Sequence, residues 1–200
     1  MNFFYFKGIE SGIELSTIEK FPVNGYSFFT WIKMDAMTSS KGCMEHGGYV
    51  PRLFSFFTEA GEGIEAYFEN NSLCFRCKKG DIISTVTMTN FKFTQKRWYF
   101  IAIVHYPTKK GWTTTPSELK VVVDGNIKFK DRLEYPADYN SQSFNNCVIG
   151  ASPAIQPLTN LDDISSNASS SVPNSGLHNC FRGQMTAVYM LNDVLTDEQI

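Results

Sequence analysis

Apolar residues in this 200-residue chain come in short alternating or continuous runs, and turn residues separate most of them. No stretch repeats its apolar positions at helical spacing over several turns. In Ser27–Met34 (SFFTWIKM), strand alternation sets Phe28 and Thr30 on one face and Phe29 and Trp31 on the other. Leu53–Phe57 and Ile64–Phe68 flank a gap holding Gly61 and Gly63, which reads as a hairpin loop. Leu73–Cys77 and Ile82–Thr89 flank the turn Lys78-Lys79-Gly80-Asp81. Trp98–His105 is almost wholly apolar and reads as a central strand covered on both faces. Leu119–Val123 and Ile127–Phe129 bracket Asp124-Gly125-Asn126, a strong hairpin signal because a type I′ turn needs positive φ twice. Cys147–Gly150 and Gln184–Leu191 complete the set. So many short strands with turns between them predict an all-β chain, a two-sheet antiparallel β-sandwich rather than βαβ units.

The remaining features bound the organisation. A chain of this length suits one domain, taken as 1–200. Two insertions stand apart from the strands, Ala36–Val50 and Pro153–Asn179. The second is rich in Ser, Asn and Pro and reads as a low-complexity, flexible loop over 153–179. At the C-terminus, Thr196-Asp197-Glu198-Gln199 has capping-box form and predicts a short helix starting there, in a fragment of a much larger protein.

Net charge is −2, which argues against a protein built to neutralise phosphate. Lys92, Lys96 and Arg97 interleave with Phe91, Phe93 and Trp98, but nothing extends the basic stripe, so nucleic acid is not expected. No apolar run is long enough to span a membrane as a helix. Cysteines number five, Cys43, Cys74, Cys77, Cys147 and Cys180, so one at least stays unpaired in a monomer. Glycosylation sequons at Asn70 and Asn167 are common by chance.

Four constellations have reactive residue types. Cys43-x-x-His46 and Cys74-x-x-Cys77 make a zinc-like set. On a strand, however, Cys74 and Cys77 point to opposite faces, and the strand reading is preferred. Glu65 and Glu69 share a strand face, as paired glycosidase carboxylates do, but their Cα atoms lie roughly 13 Å apart in an extended chain. A retaining pair needs carboxyls about 5 to 5.5 Å apart, so solvent-facing charges are expected instead. No nucleophile elbow accompanies His46, His105 or His178, and His105 is expected in the core or at an edge. No acidic cluster suggests calcium, with Asp124 committed to a turn. The chain is therefore expected to be no enzyme, to need no cofactor and to hold no metal. Trp112, Tyr49 and Arg52 are the candidate binding residues, in or beside polar loops.

Three stretches carry a resemblance. One is Phe3-Phe4-Tyr5-Phe6-Lys7-Gly8, continuing to Gly25-Tyr26-Ser27-Phe28-x-x-Trp31-x-x-Met34-Asp35. The others are Lys96-Arg97-Trp98-Tyr99-x-Ile101-x-Ile103-Val104-His105 and Cys180-Phe181-Arg182-Gly183-Gln184-Met185 through Thr196. Together they resemble the concanavalin A-like domain of neurobeachin-type BEACH proteins. Val121-Val122-Val123-Asp124-Gly125, then Ile149-Gly150, is similar to laminin-G and pentraxin-like jelly rolls. The resemblance implies a jelly roll of about a dozen strands inside a very large cytoplasmic scaffold of vesicle traffic and membrane-protein sorting. Partners would be proteins or neighbouring domains of the parent chain, with membrane association only through that parent. A secreted or luminal glycan-binding lectin is the alternative, and it predicts disulfides and glycans.

Overall fold

The computed structural model describes every residue except Met1, Ile9, 36–49, 111–112, 138–141, 154–176 and His178, and it describes only the backbone of 108–110 and 113–116. Twelve strands run in chain order: β1 Phe4–Lys7, β2 Ile13–Glu14, β3 Tyr26–Met34, β4 Arg52–Phe57, β5 Gly63–Glu69, β6 Ser72–Lys79, β7 Ile82–Thr87, β8 Trp98–Lys110, β9 Thr113–Val123, β10 Asn126–Arg132, β11 Asn146–Ile149 and β12 Arg182–Leu191. They form two antiparallel sheets of six. The first is ordered β1-β12-β3-β8-β9-β10, the second β2-β11-β4-β5-β6-β7. The all-β sandwich is as expected.

Period-2 alternation sorts the side chains. Phe28 and Ile32 of β3, Ile101 and Ile103 of β8, and Val121 and Val123 of β9 point inward from the first sheet. Phe54 and Phe56 of β4, Ile64 and Phe68 of β5, and Leu73 and Phe75 of β6 meet them from the second. Phe28 and Phe54 touch across the gap with ring centroids 4.8 Å apart. Each fully buried side chain of this kind contributes about 1.5–3 kcal/mol. Phe93 joins the core and Phe91 packs edge-on against it at 4.9 Å, so these rings are structural and form no stacking platform.

The predicted hairpin forms at Asp124-Gly125, with φ of 50° and 74°. Asp124 also accepts the Phe100 N–H through Oδ1 at 2.9 Å, which ties the turn to the neighbouring strand. The C-terminal helix is not seen. Thr196–Gln199 forms a single turn in which Gln199 Oε1 accepts the Thr196 N–H at 2.9 Å. Half of the capping box is therefore present without an α-helical ladder, and the turn closes instead by the i→i−3 bond from the Gln199 N–H to the Thr196 carbonyl at 3.1 Å. The 153–179 loop lies mostly outside the described residues.

Candidate functional site

The site was sought on the outer faces of the two sheets, where alternation places polar and reactive groups. On the second sheet, Arg52 and Tyr67 stand opposite each other across β4 and β5, and Glu65 stands opposite Arg76 across β5 and β6. Arg52 donates from Nε to Glu65 Oε2 at 2.6 Å, and Arg76 donates from Nε to Oε1 at 2.8 Å. Arg52 also donates from Nη1 to the Val50 carbonyl and lies over the Tyr67 ring at 4.8 Å. This cluster is sealed: Glu65 is 2% exposed and Arg52 7%. Burial pushes the Tyr67 phenol up to about 12.

Two expectations change here. Arg52 is no exposed contact, because its guanidinium is spent on Glu65, Val50 and Tyr67. Glu65 is not solvent-facing, because an outward position on this sheet is covered. Glu69, by contrast, is exposed at the end of β5. The β5–β6 register runs without a shift from Gly63 to Glu69. No bulge shortens the roughly 13 Å between the Cα atoms of Glu65 and Glu69 that extended geometry sets. Both Glu65 oxygens are occupied by arginines, so the pair lacks the geometry of a retaining glycosidase.

Cys77 points into the core, whereas Cys74 lies on the outer face, where Thr87 Oγ1 donates to its sulfur at 3.4 Å. Burial raises both thiols and takes Cys147 to about 11. Cys43 and His46, the other half of the zinc-like set, lie outside the described residues, and so do Tyr49 and Trp112. Among the described residues no group of three or more His, Cys, Asp or Glu could hold a metal. Cys74, Cys77 and Cys147 are free thiols, and these three and Cys180 are all buried.

The first sheet presents a different outer face. Phe29 and Trp31 of β3 project outward between Tyr189 of β12 and Phe100 of β8. Ring centroids lie 5.2 Å apart for Phe29–Tyr189, 6.3 Å for Phe29–Phe100 and 5.5 Å for Trp31–Phe100. Tyr5 of β1 extends the band, and Lys33 sits over the Trp98 ring at 5.5 Å. Trp31 is 38% exposed, and Tyr5 and Tyr189 are 54% exposed. Trp31 lies on a central strand, and its side chain takes the outward parity with Phe29. At one end of this face, residues 193–197 cross the sheet: Ser27 Oγ donates to the Asp193 carbonyl at 2.8 Å, and Lys120 pairs with Asp197. Sequence reading missed this band because alternation alone does not tell a covered outer face from a bare one. The signal available was a pair of aromatics, Phe29 and Trp31, at successive outward positions of the SFFTWIKM segment.

No known protein-family profile matches the chain. It is similar to two Dictyostelium discoideum proteins. BEACH domain-containing protein lvsD is 25% identical over 94% of this chain, and lvsE is 31% identical over 76% of it. The chain spans only 8% and 6% of those relatives' lengths. Among solved structures, a SAP-like pentraxin from Limulus polyphemus aligns with TM-score 0.53 at 12% identity, covering 98% of this chain and 77% of that one. Domains LG4-5 of the mouse laminin alpha1 chain align with TM-score 0.50 at 14% identity, covering 91% and 40%. Two stacked antiparallel sheets and kinship running along most of the sequence lead to one assignment: the chain is a laminin-G-like, concanavalin A-type sandwich homologous to a segment of BEACH domain-containing proteins.

Proposed function

We propose that this chain is a non-catalytic interaction module of a BEACH-type scaffold acting in vesicle trafficking and membrane-protein sorting. It would bind protein partners or neighbouring domains of its parent through a sheet face or a loop end. The observation that carries the reading is the pair of outer faces. One is closed over an arginine-held carboxylate; the other is open and aromatic. An open aromatic face is the usual chemistry of association. The trafficking role rests on the BEACH relationship. A cytoplasmic setting, with membrane contact only through the parent protein, is supported by the BEACH relatives. Among the described residues no helix is long and apolar enough to cross a membrane.

The test is titration of the 200-residue chain against overlapping segments of its full-length parent. Saturable binding to one segment is expected, and no binding to any overturns the proposal. The fold also suits a glycan-binding lectin, secreted or luminal, and a glycan array run alongside separates that reading. Selective sugar binding, with disulfides in the non-reduced intact mass, would favour the lectin.

A further inference from the structure

At the β1–β12 end of the first sheet's outer face, cations outnumber acids. Lys7 of β1 stands opposite Arg182 of β12, Gln184 stands opposite Lys33 of β3, and Tyr5 faces Gln184 from the other side. Lys7, Arg182 and Lys33 therefore occupy neighbouring outward positions at one end of the aromatic band. None of the three makes an ion pair among the described residues. The outward paired positions of β1, β12 and β3 are Tyr5, Lys7, Arg182, Gln184, Thr186, Tyr189, Leu191, Ser27, Phe29, Trp31 and Lys33, with no acid among them. Asp35, just past the end of β3, borders the cluster and donates its N–H to the Arg182 carbonyl, so three cations face one acid there. The acids farther along the sheet are paired: Asp124 with Arg97, Asp197 with Lys120 and Glu118 with Lys130.

We infer that this face is the docking surface for an acidic amphipathic helix, whose aliphatic stripe covers Trp31, Phe29 and Tyr189 and whose carboxylates meet Lys7, Lys33 and Arg182. The inference rests on the interaction-module reading above and names the surface and the partner's chemistry. β12 and β3 have hydrogen-bonded strands on both sides, so the centre of this face, away from the β1 edge, offers no free backbone groups. A partner lying over it must arrive with its own backbone bonds closed, which a helix does. From Tyr5 on β1 to Phe100 on β8 the band crosses three strand spacings, roughly 14 Å. A helix with side chains is about 10–12 Å across and fits that width. The cations choose the sign of the partner's charge. A second copy packed symmetrically through this same face would set Lys7, Lys33 and Arg182 against their own counterparts. A membrane is disfavoured because the rings pack on one another rather than standing free, whereas interfacial anchoring buries apolar side chains about 5–10 Å deep.

Two synthetic 18-residue helical peptides with the same leucine stripe, one carrying glutamate and one lysine at its polar positions, provide the test. Titration calorimetry and tryptophan emission of the 200-residue chain read the binding. The glutamate peptide should bind at least tenfold tighter than the lysine peptide, and the preference should shrink with added salt. Lys7→Glu/Lys33→Glu/Arg182→Glu should reverse the preference, and Trp31→Ala/Tyr189→Ala should weaken both peptides. All of these positions except Lys33 and the partly exposed Trp31 are well exposed, and the charge variant keeps the test valid if the aromatic one unfolds. Equal binding of both peptides, binding of neither, or a preference that survives charge reversal overturns the inference. So does capture by phosphatidylserine vesicles without peptide binding, which indicates a membrane surface, or a dimer in sedimentation, which indicates a second copy. A parental segment whose binding ignores all these variants overturns this inference and leaves the interaction-module proposal standing.

Discussion

Two guanidinium groups share the Glu65 carboxylate, Arg52 from 2.6 Å and Arg76 from 2.8 Å, at a position almost without solvent contact. Taking these charges out of water is costly, and their mutual attraction offsets that cost only while the cluster is complete. Glu65→Gln would leave two arginines in the cluster without their shared anion. It should destabilise the fold by about 3–5 kcal/mol, a fall of roughly 10 °C in Tm for a domain of this size. Urea denaturation of the purified chain measures it, and a loss below about 1 kcal/mol would mean that Glu65 does not balance the arginines. Alternation in the sequence put Glu65 on the outward side of its strand, where it lies. It could not tell that this side is covered, because residues close in space but distant along the chain supply the cover. The Arg52 N–H, for instance, donates to the Asn179 carbonyl at 2.9 Å.

At the scale of the element, two glycines with positive φ have different reasons to be glycine. Gly125, with φ of 74°, closes the β9–β10 hairpin into open space, so a side chain there meets only backbone strain. Gly183, with φ of 147°, begins the pairing of β12 with β3, and a Cβ built on it would land on the Lys33 carbonyl oxygen and 2.9 Å from Met34 Cα. Gly125→Ala should cost about 1–2 kcal/mol. Gly183→Ala should cost clearly more, because the central β3 backbone must also move. Equilibrium unfolding of the two variants side by side checks the order, and equal losses would show that the β12–β3 contact is compliant. The hairpin turn was legible because its signal is local and chemical. β1 and β2 were not read as strands, since each is short and pairs with a strand far along the chain, β12 and β11. The C-terminal capping motif was legible as a motif but not as a helix.

The whole molecule unfolds with a proton uptake set by its interior. His105 is fully buried beside Tyr26 and Tyr135, with ring centroids 5.7 and 4.9 Å away. Its Nε2 lies 3.2 Å from the Leu133 carbonyl, which can only accept, so Nε2 carries the hydrogen and Nδ1 is left as an unpartnered lone pair. Burial pushes this imidazole down to about 4 from its ordinary 6.5. The folded state therefore refuses a proton that the unfolded chain takes up below about pH 6.5. Stability should be level above that pH, fall as the pH drops from 6.5 towards 4, and lose on the order of 3 kcal/mol over the interval. His105→Leu should flatten that part of the profile whatever its effect on absolute stability. Denaturation midpoints at several pH values measure both slopes, and parallel slopes would exclude His105 as the source.

The sequence by itself determined which residues turn inward and which turn outward, because a strand alternates its side chains with period 2 and the turn residues mark where each strand stops. It also determined the tightest hairpin and the kinship with BEACH proteins. Tertiary structure alone decided the strand order and which outward positions remain bare. Strand order pairs the first strand with the last, and cover comes from distant segments, as when residues 193–197 reach Ser27 and Lys120. Alternation is a property of consecutive residues, whereas solvent contact depends on what the rest of the chain lays over them. Glu65 and Trp31 therefore look alike in sequence, as outward residues on neighbouring-type strands, yet one is sealed and the other is open.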